Sequence, residues 1–156
     1  MLLELYNMLS NQGESMDWNP HAYMGYVDTF QPNKYHTSQI QGPTGKFETS
    51  PEGLGASARV GPGGLFSLGA QYGYKIPETP ITITPSAGMA YVDQPMRELP
   101  LKTPFALGLQ AGIDIPKTKA KLIAEYLHLS NAGLKQPNIG MDMGSIMLGY
   151  PLEWGQ

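Results

Sequence analysis

The chain has 156 residues, a length that fits one domain, and only 15% of them are charged, against about 25% in typical soluble domains. Its net charge of −3 gives no basic footprint for nucleic acid, and the absence of cysteine excludes disulfides and thiolate metal sites. Glycine (19 residues) and proline (14) are abundant, and there is no apolar run long enough for a transmembrane helix.

Residues 1–19 are predicted to form a short N-terminal helix or tail, and residues 20–156 a single β-barrel domain. The apolar positions of the first segment have the spacing of a short amphipathic helix: Leu2, Leu3, Tyr6 and Leu9. We do not expect this segment to be a secretory signal, because Glu4 interrupts it and no Lys or Arg precedes its apolar part.

Short alternating segments separated by Pro and Gly dominate the sequence from Leu54 onward, a pattern typical of an all-β barrel or sandwich. The predicted strands lie at about 21–30, 54–61, 65–76, 81–92, 104–115, 119–130 and 141–152. A single-chain membrane barrel normally has an even number of strands, so an eighth is expected within residues 34–50.

The two faces of each predicted strand differ in character. In "PFALGLQAGIDIP", Leu107 and Leu109 share one face, while Gly108 and Gln110 lie on the other. Solvated faces normally carry more charge than these small residues do. The pattern therefore favours an eight-stranded antiparallel up-and-down membrane barrel over a soluble sandwich. Its interior would hold the scattered charges and the methionines: Arg59, Asp114, Glu125, Met141, Met143 and Met147.

A candidate site lies in the stretch "EYLHLSNAGLKQPN". His128 and Ser130 are two residues apart, so they share one face of a strand, and Asp142 falls in phase with the apolar face of the next strand. A serine nucleophile needs an adjacent base, and an acid orients that base. The intervening turn offers amide donors for an oxyanion: Asn131, Asn138 and the backbone around Gly133. Two polar residues that merely alternate on a strand are the other interpretation.

The segment "HLSNAGLKQPNIG", His128 to Gly140, resembles the signature of the lipid A 3-O-deacylase family, outer-membrane serine esterases of the PagL type. The resemblance implies that Ser130 is the nucleophile and His128 the general base. It also implies that Asn138 is associated with the oxyanion site, with Asn131 and Gly133 at neighbouring motif positions.

Two positions depart from the family pattern. Asp142 stands where the family usually has a glutamate, so its carboxylate must sit closer to His128 or the backbone must shift. Leu129 stands where the family tends to place an aromatic residue, and is expected to face the interior.

The resemblance implies an esterase that removes an ester-linked acyl chain from lipid A in the bacterial outer membrane, with no metal or cofactor. A lipid substrate would explain why His128 and Ser130 lie with the apolar face of their strand. Lipopolysaccharide and the membrane are then the expected partners, and a homo-oligomer or a virion assembly stays open.

Two other functions compete with this interpretation. The first is a structural or interaction barrel of an envelope or virus particle that keeps the fold without turnover; a phage-encoded esterase that attacks host lipopolysaccharide would satisfy both views. The second is a soluble lipid-binding barrel of the lipocalin type, which needs its apolar residues to point inward.

Overall fold

The computed structural model describes residues 18–29, 41–92, 104–130 and 141–152. Within these ranges the chain forms a closed antiparallel barrel in which each strand pairs with its neighbour in sequence and the last strand pairs with the first. The strands are β1 His21–Thr29, β2 Gln41–Glu48, β3 Gly53–Gly61, β4 Leu65–Lys75, β5 Ile81–Tyr91, β6 Phe105–Asp114, β7 Lys121–Ser130 and β8 Met141–Pro151. No helix in the described ranges is long and apolar enough to cross a membrane.

The predicted strands are confirmed, with bounds that differ by only a few residues. The eighth strand, which the sequence placed only loosely within 34–50, is β2 at Gln41–Glu48. The predicted N-terminal helix or tail, 1–19, lies outside the described residues apart from residues 18–19, which with Pro20 form a segment without regular secondary structure. That segment is held by two backbone hydrogen bonds, from Asn19 N to Thr49 O at 3.0 Å and from Leu152 N to Pro20 O at 2.7 Å.

The outer wall of the barrel is apolar. Side chains at alternate positions of the strands point outward and stay exposed, among them Met24, Leu68, Leu107, Leu109, Ile146 and Leu148. Tyrosines stand on the same wall, including Tyr72, Tyr74, Tyr91 and Tyr150, while Trp154 lies outside the described residues. A continuous apolar wall of this kind suits contact with lipid. The lipocalin-type alternative requires apolar side chains that point into the barrel, and the outward direction of these residues contradicts it.

The interior is filled by polar and charged side chains that pair across the lumen. Glu125 on β7 accepts hydrogen bonds from Arg59 on β3, at 2.5 Å from Nε and 2.7 Å from Nη2, and from Lys46 on β2 at 3.0 Å from Nζ. Lys46 also donates to Gln110 on β6. Buried charges need such partners, because an unpaired charge in a dry interior is strongly unfavourable.

A second interior group lies toward the rim where β1 begins and β2 ends. Glu48 accepts hydrogen bonds from the Tyr23 hydroxyl and from Gln71 Nε2, the latter at 2.8 Å. Tyr23 lies against Gly149 of β8: a Cβ added at Gly149 would stand 2.0 Å from Cδ1 of the tyrosine ring. The glycine therefore makes room for the ring inside the barrel.

The methionines predicted to fill the interior do so along β8, where Met147 packs with Tyr23 and Ile123. Met141, Met143 and Met147 of β8 are all buried, and the first two pack in one apolar cluster with Leu127 and Leu129 of β7. Leu129 thus faces the interior, as its position in the strand predicts.

The two rims differ in the length of their connections. One rim has short turns, between β2 and β3, β4 and β5, and β6 and β7. The other rim carries the three longest connections, 30–40, 92–104 and 131–140, and one short turn at Pro62–Gly64, where Gly63 and Gly64 adopt positive φ of 72° and 70°. The candidate site residues of β7 and β8 lie at this second rim, here called the loop rim.

Candidate active site

His128 and Ser130 are near the end of β7 and lie on the outer wall. Along this strand the inward positions are buried, from Ile123 to Leu129, and the alternate positions from Leu122 to Ser130 are exposed or half-buried. Two residues of a strand span about 6.6 Å, so the His128 and Ser130 side chains leave the same face as neighbours. Ser130 is the last residue of β7 and pairs with Phe105 of β6.

Asp142 lies directly opposite His128 in the ladder between β7 and β8. Its Oδ1 is 2.6 Å from His128 Nδ1, and the two side chains are 35% and 34% exposed. Aspartate reaches the imidazole because directly opposed residues have Cα atoms only about 4.5–5.5 Å apart. The strand register therefore accommodates the shorter acid.

This contact also fixes the chemistry of the imidazole. An ionised carboxylate only accepts hydrogen bonds, so Nδ1 of His128 carries the proton that faces Asp142. In the neutral imidazole, Nε2 then keeps its lone pair and can accept a proton from another group. A histidine held in this way has the tautomer that a general base needs.

Tyr126 adds a third side chain to this pair; the sequence placed it on the same face as His128, as a surface for an acyl chain, and did not predict its contact with the acid. Its hydroxyl donates a hydrogen bond to Oδ1 of Asp142, the same oxygen that faces His128. The sequence spacing is compatible with this contact, because Tyr126 lies two residues before His128. With His128 opposite Asp142, Tyr126 is diagonal to Asp142 across the ladder. What the sequence lacked was the register that makes them neighbours.

An open groove of about 610 Å³ runs along the outer wall beside this cluster. Its floor is made of small residues, Ala111, Ala124 and Gly144, and larger ones rise around it: Tyr26, Ile83, Leu109, Tyr126 and Ile146. The volume lies within the range of about 300–1,000 Å³ that is usual for ligand sites. Tyr126 belongs both to the groove and to the His128–Asp142 cluster, so the two adjoin.

The remaining predicted site residues, Asn131, Gly133 and Asn138, lie outside the described residues, and their roles stay predictions. Among the residues whose positions are described, no group of three or more His, Asp or Glu side chains could hold a metal ion.

Several solved structures are similar to this chain, and two of them are compared with it. One is the N-terminal β-barrel domain of Pseudomonas aeruginosa OprF, which is 15% identical in sequence and has a TM-score of 0.54. The matched region covers 85% of this chain and 97% of the OprF domain. The other is the outer membrane enzyme PagL, 19% identical with a TM-score of 0.48, covering 86% of this chain and 99% of its own. Because the sequence identity to OprF is only 15%, this similarity supports the barrel fold and carries no conclusion about function.

The sequence comparison identifies the family of the chain, which the structural similarity alone does not. No curated protein sequence matches the chain significantly. The family model for lipid A 3-O-deacylase (PagL), however, matches residues 12–151, which is nearly the whole sequence and includes every strand. The chain therefore belongs to the lipid A 3-O-deacylase (PagL) family.

Proposed function

We propose that this protein is a serine esterase of the bacterial outer membrane that hydrolyses an ester-linked acyl chain of lipid A. The observation that carries the proposal is the His128–Asp142 hydrogen bond of 2.6 Å on the apolar outer wall, with Ser130 on the same face. Family membership supplies the substrate class.

The reaction begins with attack of the Ser130 Oγ on the carbonyl carbon of the acyl ester. The serine proton passes to Nε2 of His128, and Asp142 stabilises the imidazolium that forms. As the tetrahedral intermediate collapses, the bond to the sugar oxygen breaks and that oxygen takes the proton back from His128. Water then hydrolyses the acyl-serine by the same route, which releases the fatty acid and restores the Ser130 hydroxyl.

The groove supports a lipid substrate. An acyl chain lying against Ala124, Gly144 and Ile146 would pack on an apolar surface and point toward the Asp142–His128 cluster. The amide groups of Asn131 and Asn138 and the backbone near Gly133 are expected to hold the developing oxyanion.

The position of the site at the loop rim supports an orientation in the membrane. In outer-membrane barrels the short turns face the periplasm and the longer loops face outward. The cluster of Tyr126, His128 and Asp142 would then lie at the level of the outer leaflet, where lipopolysaccharide resides.

A lipid assay with the nucleophile variant tests the proposal. Purified protein refolded in detergent is incubated with lipopolysaccharide, and the lipid A product is analysed by mass spectrometry. The parent protein is expected to release one hydroxyacyl chain, and Ser130→Ala to lower kcat by at least about 10³-fold. Ser50→Ala, in a turn at the opposite rim, is the matched control and keeps parental activity. If Ser130→Ala retains full activity, the nucleophile is misassigned.

The same assay addresses the structural-barrel alternative. The aspartate at position 142 slightly favoured that view, because the family usually has a glutamate there, whereas its 2.6 Å contact with His128 supports the esterase. A correctly folded parent protein that leaves lipopolysaccharide intact would favour a barrel without turnover.

A further inference from the structure

We propose that Tyr126 is a positioning residue of the reaction, acting through Asp142. Its hydroxyl donates to Asp142 Oδ1, and the same oxygen receives the hydrogen bond from Nδ1 of His128. The carboxylate is therefore held from two directions. The inference rests on the proposed function and adds a residue to it.

The strand register explains why the tyrosine reaches this oxygen. Tyr126 pairs with Gly144 in the ladder, and His128 pairs with Asp142. Diagonal neighbours of this kind lie about 7–8 Å apart at Cα, a span that an aromatic side chain bridges. The directly opposed residue, Gly144, has no side chain to stand between the ring and the carboxylate.

The second hydrogen bond matters because Asp142 is 35% exposed on the outer wall and is only partly enclosed by its neighbours. A hydrogen bond to an ionised group is stronger than one between neutral groups, and more so in a poorly solvated setting. Tyr126 would hold Oδ1 where His128 needs it, which keeps the imidazole aligned with Ser130.

A kinetic cycle separates this role from simple contact with the substrate. Tyr126→Phe keeps the ring that lines the groove and removes only the hydroxyl. We expect kcat to fall about 10-fold with KM changed less than about 2-fold, because the lost interaction acts on the base and not on lipid binding. In an Asp142→Asn background the same change should alter kcat less than about 2-fold, because the carboxylate it positions is gone.

Tyr72→Phe is the matched control. Tyr72 is on β4, also faces outward, and is 45% exposed against 43% for Tyr126, but it does not line the groove and its strand is separated from β7 by β5 and β6. It should keep parental kcat and KM. A Tyr126→Phe protein with unchanged kcat, or with an equal fall in both backgrounds, would overturn the positioning role.

A second readout keeps the inference separate from the proposed function. The proton on Nδ1 of His128, bonded to a carboxylate, should give a downfield ¹H NMR resonance, observable in Ser130→Ala, where turnover plays no part. We expect Tyr126→Phe to broaden or abolish this resonance and Tyr72→Phe to leave it intact. A resonance that is absent from the parent, or unchanged in Tyr126→Phe, would refute the inference. An active Ser130→Ala protein would instead refute the nucleophile and leave this test standing.

Discussion

The interior ion cluster offers the sharpest test of what holds the barrel together. Glu125 accepts three hydrogen bonds, two from Arg59 and one from Lys46, and its side chain is only 3% exposed. Replacing it with glutamine keeps the volume and one acceptor oxygen but removes the negative charge. Arg59 and Lys46 would then face each other with Glu48, 4.0 Å from Lys46, as the nearby carboxylate.

The magnitude follows from the burial of these groups. Removing one partner of a buried ion pair costs about 3–5 kcal/mol, because the other charge stays buried without compensation. Because glutamine still offers a carbonyl oxygen to Arg59, the loss of unfolding free energy in Glu125→Gln should lie at the lower end of this range, at about 3 kcal/mol. With urea slopes of about 1–3 kcal/mol/M for small proteins, the unfolding midpoint should fall by about 1–3 M.

The assay is urea unfolding of the barrel in lipid vesicles, with the folded fraction read from heat-modifiable gel mobility. Asp114→Asn is the matched control, since Asp114 pairs with Lys75 and Lys121 at the short-turn rim and is 40% exposed. Exposed ion pairs contribute about 0–1 kcal/mol, so this variant should unfold near the parental midpoint.

A double-mutant cycle identifies the partner. Arg59→Gln should be strongly destabilising in the parent and much less so in Glu125→Gln, with an interaction free energy of about 1–3 kcal/mol. The reasoning is refuted if Glu125→Gln unfolds within about 1 kcal/mol of the parent, or if Asp114→Asn costs as much.

Further predictions concern the acid, a close contact and the outer wall. Asp142→Glu should keep activity within about 10-fold in the lipid assay, whereas Asp142→Asn should lose about 10³–10⁴-fold in kcat, because both acids orient a histidine and the amide does not. Gly149→Ala should destabilise the barrel by about 1–3 kcal/mol in urea unfolding, since its methyl group would collide with the Tyr23 ring at 2.0 Å. Leu68→Arg should cost about 2–4 kcal/mol in the same vesicle assay, because it places a charge on the lipid-facing wall.

Each of these has a result that would contradict it. Asp142→Glu as inactive as Asp142→Asn would mean that the register admits only the shorter acid. Gly45→Ala serves beside Gly149→Ala, because its Cβ would meet neighbours at 3.5 Å, an ordinary contact; equal costs would rule out the clash. A Leu68→Arg protein as stable as the parent would indicate that the wall faces water.

The sequence by itself determined where most of the strands run and which residues of each strand share a face. Alternation is a local property of an extended chain, so Leu107 and Leu109 could be assigned to one face and Met143 and Met147 to the other without knowing any partner strand. The same rule put His128 beside Ser130 and in phase with the apolar wall. β2 was harder to find, because "QGPTGKFE" contains two glycines and a proline and has little apolar alternation.

Only the tertiary structure decided which residues meet across the barrel. Register depends on how two strands pair and on closure of the whole sheet, and neither can be predicted from the sequence of one strand. That register sets Asp142 opposite His128, brings the Tyr126 hydroxyl to the same carboxylate, and leaves small residues in line as the groove floor. Closure likewise joins Arg59 to Glu125, 66 residues apart in the chain. The alternation within a strand fixes which side chains share a face. Contacts between side chains of different strands form only when the strands pair and the barrel closes.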